Sequence, residues 1–171
     1  DGLADEHYAV PIPLPAEQRI ERAEVFARNT EASIIHGGDK ACYIPAADRI
    51  QMPPFAAFVS PEAYYSTLFH ELGHWVGAKH RLDRISSTNM KTKAYAFEEL
   101  VAEIGSALLC ADLGIVPELD PRPDHASYLQ SWLRVLKDDK RAIFAAAAHA
   151  QRAVNFLHGL QPSASEKREA A

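Results

Sequence analysis

Apolar residues recur at three- and four-residue steps in five stretches of this chain, the spacing of an amphipathic helix. Ile20, Ala23, Val25 and Phe26 mark the first, over 17–29. Tyr64, Leu68, Leu72, Trp75 and Val76 mark the second. Ser60-Pro61-Glu62 opens it, since serine can cap, proline suits the first turn and glutamate favours the positive helix end. Gly77 reads as its stop. Phe97, Leu100, Val101, Ile104, Leu108 and Ala111 form a stripe over 95–112, ended by Gly114. Two further helices are expected. One spans 125–137 with Tyr128, Trp132, Leu133 and Leu136; the other spans 139–158 with Ile143, Phe144, Ala147, Val154 and Leu157.

Between the first two helices the pattern changes to short extended runs at 32–36, 41–44 and 49–52. Gly37-Gly38, Pro45 and Pro53-Pro54 punctuate them, which predicts three strands in a small antiparallel sheet. The fold class is therefore α+β, a small antiparallel sheet packed on a helical bundle. Pro11, Pro13 and Pro15 make 1–16 an extended lead-in, 17–158 forms the domain, and the small and charged residues of 159–171 read as a disordered tail. A start at Asp1 rather than Met is the mark expected of a piece of something longer.

Composition narrows the function classes. With 171 residues and 47% hydrophobic content the chain suits one well-packed domain. A net charge of -5 argues against a self-sufficient nucleic-acid binder, and the loop from Lys79 to Lys93, with Arg81, Arg84 and Lys91, is the only support for that class. Cys42 and Cys110 have no metal-binding spacing and do not make a disulfide scaffold, which fits a reducing compartment. No apolar run approaches the roughly 20 residues of a membrane span, and no signal peptide is visible, so a cytoplasmic location is expected.

The candidate chemistry sits in the second helix, which reads His70-Glu71-Leu72-Gly73-His74. On a helix the two histidines share a face one turn apart and Glu71 projects beside them. Two neutral imidazoles at that spacing can grip one zinc ion, and the carboxylate can take a proton from a water on it. A third ligand has two sources. His80 completes His-Glu-x-x-His-x-x-Gly-x-x-His, the metzincin signature, although no convincing Met-turn follows. The 95–112 helix offers Glu98, Glu99 and Glu103 instead. Glu99 and Glu103 are four apart with no lysine or arginine three or four residues away, a like-charge conflict that a metal ion on one and a ligand histidine's ring N–H on the other would relieve. That arrangement, gluzincin-like, is the favoured one.

These and other residues carry a resemblance. His36-Gly37-Gly38-Asp39, Tyr43, Pro45, Asp48 to Pro53, Tyr64-Tyr65, His70 to Trp75, Gly77 and Arg81-Leu82 resemble the ArdC-type antirestriction family, as do Glu98 to Ser106 and the stretches around Trp132 and Lys140 to Phe144. The similarity covers about residues 17–158 and is to the C-terminal zincin-like metallopeptidase domain that such proteins share with some plasmid primases. It implies a zincin-like fold, a plasmid- or mobile-element-encoded protein acting inside a bacterial cell, and protection of incoming DNA from restriction. It also implies single-stranded DNA binding through a separate N-terminal domain that this chain does not contain. Metal binding would fall to His70, His74 and a glutamate of the Glu98–Glu103 helix. Relatives often lack a histidine at position 80, so His80 is a departure.

The expected reaction is metal-assisted hydrolysis of a protein or peptide of unspecified sequence. His70, His74 and Glu99 hold the ion, Glu71 takes the water's proton and passes it to the leaving amine, and Glu103 fixes a ligand histidine. Tyr95, His125 and Tyr128 are candidate oxyanion donors. Zinc is the expected metal, with manganese or another divalent ion equally compatible with N/O ligands. The competing reading is a metal-stabilised binding module with a closed site in which His80 is the fourth ligand.

Overall fold

Ser60 accepts a hydrogen bond from the amide of Ala63, Pro61 sits in the first turn, and the chain then runs helical to Val76. The computed structural model describes residues 19–85, 92–116, 132–133, 136–137 and 139–162. Its elements are α1 (Glu21–Asn29), β1 (Ser33–His36), β2 (Cys42–Ile44), β3 (Arg49–Met52), α2 (Pro61–Val76), α3 (Lys93–Asp112) and α4 (Ala142–Gly159). The lead-in, the tail from 163 onward and most of the helix expected at 125–137 lie outside the described residues.

The α+β class stands, with one correction to the sheet. Its order is β1-β3-β2, and while β2 and β3 pair antiparallel with Tyr43 opposite Ile50, β1 and β3 run parallel with Ile34 opposite Ile50. The 3-10 turn Pro45–Ala47 and Asp48, whose φ is +46°, close the β2–β3 hairpin and send β3 back between its two predecessors. The expectation of an all-antiparallel sheet failed because punctuation fixes where strands end, not which neighbour they pair with. Ile50 and Met52, two apart and on one face, are fully buried in the core with Phe69, Leu72 and Val76 of α2. The opposite edge strand, β2, is left beside α2.

Helix α2 packs chiefly on α3, and α3 on α4. The close approach is at Gly73, where an added Cβ would lie 3.2 Å from the Cα of Ala102. Gly105 of α3 is not a point of close approach, since a Cβ there meets nothing within 4 Å. Ser106 does help, donating to the carbonyl of Ser66 at 2.6 Å. Helix α4 buries Ala146, Ala150, Ala153, Val154 and Leu157, whereas Phe144 is 74% exposed. The buried stripe is thus largely alanine, small enough for α4 to lie close on α3. Gly77 has φ -71°, so it is not a left-handed cap. It is needed for space, since a Cβ would lie 2.9 Å from Ile85 Cγ1. Among the described residues no helix is long and apolar enough to cross a membrane.

Candidate metal centre

Two helices bring the site together. One turn separates His70 and His74 on α2, and their Nε2 atoms are 3.1 Å apart. Glu99, on the facing surface of α3, puts Oε2 at 3.4 Å from His70 Nε2 and Oε1 at 3.3 Å from His74 Nε2. The histidine side chains are 14% and 12% exposed and that of Glu99 is 4% exposed.

Each imidazole also has an outward partner. His70 Nδ1 is 3.2 Å from Glu103 Oε2, and His74 Nδ1 is 3.2 Å from Glu98 Oε1. An ionised carboxylate only accepts, so each Nδ1 carries a proton, and it is the two Nε2 atoms, once deprotonated, that can present lone pairs to an ion beside Glu99. Ligands of one ion at about 2.0–2.1 Å lie roughly 3.3 Å apart in a tetrahedral shell and roughly 3.0 Å apart in an octahedral one. The three donor atoms span 3.1–3.4 Å, so they fit a single divalent ion. Among the described residues no other histidine, cysteine, aspartate or glutamate joins this group.

The electrostatics follow from the packing. Burial works to lower His70 and His74, but the facing carboxylates outweigh it: Glu103 and Glu99 raise His70, and Glu98 and Glu99 push His74 up to about 10. Burial works to raise Glu99, and the two imidazoles overcome it, holding its carboxyl well below the usual range. Without an ion, the facing carboxylates thus favour protonated imidazoles.

Glu71 is 7% exposed, and its Oε2 accepts the backbone amide of Tyr43 on β2 at 2.7 Å. The structure therefore gathers Glu71, His70, His74, Glu99 and Glu103 in one place. His80 is elsewhere. Its side chain is 61% exposed and its Nε2 is 3.1 Å from Asp48 Oδ2. The turn at 77–85 sends it to the β2–β3 hairpin rather than back to α2, which accounts for its absence from the donor group. Tyr95 lies in the first turn of α3, one turn before Glu99. His125 and Tyr128 lie outside the described residues.

Two arginines of the loop that supported a nucleic-acid binder turn inward instead. The side chain of Arg81 is 8% exposed, bonded to Asp48 and stacked 3.8 Å over the Trp75 ring. The side chain of Arg84 is 5% exposed and grips Glu98 through Nε at 2.7 Å and Nη2 at 2.8 Å. Neither is laid out on the surface for phosphates. Glu98 itself was seen only as one of three glutamates. Its partner Arg84 is fourteen positions upstream (98 - 84), beyond the reach of any helical spacing rule.

A family model described as a zincin-like metallopeptidase matches residues 21–149. Protein y4eC of Sinorhizobium fredii is 49% identical over 151 residues, covering 88% of this chain and 48% of that one. DNA primase TraC of Escherichia coli is 43% identical over 139 residues, covering 81% of this chain and 13% of the primase. The metal-free crystal structure of the antirestriction protein ArdC from plasmid R388 superimposes with a TM-score of 0.73 at 45% identity, covering 94% of this chain and 56% of that one. Its Mn(II)-bound form gives 0.67 at 42% identity, covering 94% and 58%. The chain thus spans about half the length of y4eC and ArdC, and a small part of the primase.

Proposed function

The chain belongs to the zincin-like metallopeptidase family, and on that footing we propose that it is a divalent-metal peptidase module of an antirestriction protein. Nε2 of His70, Nε2 of His74 and the carboxylate of Glu99 would hold the ion. The observation that carries this is their convergence at 3.1–3.4 Å while both outward ring nitrogens face carboxylates. Bound there, zinc, manganese or a related ion supplies a Lewis acid and a water of lowered pKa.

Glu71 acts as the general base. Tyr43 fixes its Oε2, which leaves Oε1 to take the proton of the attacking water and later to hand it to the departing amine nitrogen. Glu103 holds the Nδ1 proton of His70 and so keeps its Nε2 lone pair on the site. Tyr95, on the helical face of Glu99, is the described candidate for donating to the developing oxyanion. The likeness to ArdC supports an antirestriction role, and that to TraC supports a place among plasmid-borne DNA-handling proteins. In the whole protein a separate domain would engage single-stranded DNA, and the substrate of this module would be a protein met during DNA entry, in the bacterial cytoplasm.

The binding-module reading asks for a closed site with a fourth protein ligand. His80, its candidate, is engaged with Asp48. The test is a peptide-library digest with the metal-loaded chain and its Glu71→Gln variant, alongside metal titration of both. Cleavage lost in the variant with metal binding kept is the expected result. One bound ion with no cleavage of any peptide by the unaltered chain would sink the peptidase reading and favour the binding module.

A further inference from the structure

The two imidazoles are held differently. His70 faces Glu103, whose side chain is 28% exposed, whereas His74 faces Glu98, which is 7% exposed. Glu98 is itself gripped from outside. Arg84 donates from Nε to Oε2 at 2.7 Å and from Nη2 to Oε1 at 2.8 Å, and Nη2 also reaches the carbonyl of Gly73 on α2 at 2.6 Å. A buried carboxylate without a cation is costly, and a bidentate guanidinium supplies the charge while fixing the rotation of the carboxylate plane. The turn after α2 aims Arg84: the amides of Arg84 and Ile85 both donate to the Gly77 carbonyl, at 2.9 and 3.0 Å. Gly77 leaves the room, since a Cβ there would lie 3.0 Å from Arg84 Nη2.

We propose that Arg84 is a positioning residue of the metal centre, acting through Glu98 on the ring of His74. It never touches the ion. It joins α2, through the Gly73 carbonyl, to α3, through Glu98, so that the Nδ1 proton of His74 has one acceptor in one orientation. This rests on the donor set proposed above. Its consequence is that the His74 ring is held through a carboxylate fixed at both oxygens.

The test is zinc and Mn2+ titration calorimetry of the full chain and of Arg84→Met, Arg84→Lys, Glu98→Gln and Glu103→Gln. Thermal unfolding in chelator reports the fold, and proton NMR of the zinc-loaded protein follows the ring N–H signals of His70 and His74. Arg84, Glu98 and His149 border an open cleft, so water can fill the space that a smaller side chain leaves. Arg84→Met should lose about 10–100-fold in metal affinity, the usual cost of removing an outer partner, with Arg84→Lys in between. In Glu98→Gln the carbonyl oxygen, kept at the Oε1 position, still accepts from His74 Nδ1 and Arg84 Nη2, but the NH2 then opposes Arg84 Nε, so the two-point grip is lost. Affinity should therefore fall more than in Glu103→Gln, where the amide can present its oxygen to His70 Nδ1.

The His74 N–H signal should exchange faster in Arg84→Met while that of His70 is unmoved, a split that general loosening would not give. Should Arg84→Met fail to fold, Arg84→Lys and Glu98→Gln decide the matter on the same readouts. Unaltered chain that binds no ion overturns the donor set and this inference with it. Unaltered chain that binds one ion, with folded Arg84 and Glu98 variants of equal affinity, overturns this inference alone.

Discussion

The backbone amide of Tyr43 lies 2.7 Å from Oε2 of Glu71. Strand β2 is the edge of its sheet, so an amide on its outer side has no strand partner, and the helix beside it supplies the acceptor. One carboxylate oxygen is thereby fixed by the strand, and the other is the one that the proposed base chemistry would use.

Glu71→Gln keeps an acceptor for that amide and so should keep the fold and the metal. Peptide cleavage should fall by about 10²–10⁴-fold, the worth of a general base. Parallel calorimetry and peptide digestion check it; a comparable fall in metal affinity would make Glu71 a ligand or a scaffold rather than a base.

Metal binding should strengthen with pH. The folded pKa values of His70 and His74 are raised above the ordinary value of 6.5, that of His74 to about 10. In the metal-free chain this contribution to stability is fully present below about pH 6.5 and is lost as pH rises through the folded values. An ion needs both rings neutral, so it must displace their protons, and affinity should climb over the same window. Calorimetry near pH 7 in buffers of different ionisation enthalpy should detect about one to two protons released per ion. No release would mean that the rings are already neutral.

Gly73→Ala should destabilise the chain. Its Cβ would press on Ala102 at 3.2 Å from backbone, where the neighbour cannot swing aside. Overpacking of this kind costs about 1–3 kcal/mol. Urea unfolding of the metal-free protein measures it without interference from the ion.

His80→Ala should bind metal as the unaltered chain does, because the ring faces Asp48. A loss of about tenfold or more would return His80 to the centre.

Acid should weaken the clasp between the β2–β3 hairpin and the turn after α2. The Arg81 hydrogen bond, against the pull of burial, and the Tyr43 hydroxyl hold the Asp48 carboxyl well below the usual range. Its contribution is therefore present above about pH 4 and is lost as pH falls from there. Asp48→Asn should show a shallower drop in melting temperature below pH 4 than the unaltered chain, and an equally steep drop would remove Asp48 from that acid response.

What could be read from the sequence was what is local. Ser60, Pro61 and the His70–His74 spacing each act within one or two turns, so the start of α2 and its shared histidine face were legible. The four-residue step from Glu99 to Glu103 likewise fixed which carboxylates share a face. Which imidazole each one meets depends on how α3 docks on α2, and that is set by Gly73 against Ala102 rather than by Gly105. Glu98 had no visible role because Arg84 reaches it across a turn. Strand pairing was illegible for the same reason, since β1 meets β3 only after β2 has been made. Phe144 was assigned to the core by its hydrophobicity, yet alanines do that work because α4 must lie close to α3.

The donor atoms come from α2 and α3 alone, and an ion seated between them recognises only the folded chain. Free metal at a hundred times its dissociation constant would shift the balance of folded to unfolded chain by about 2.7 kcal/mol, a hundredfold cut in the unfolded population. Unfolded chain is what cellular proteases remove. With the donor set proposed here, the lifetime of the protein in a cell would track the supply of free metal there, and scarcity of the ion would clear it by degradation as well as silence it.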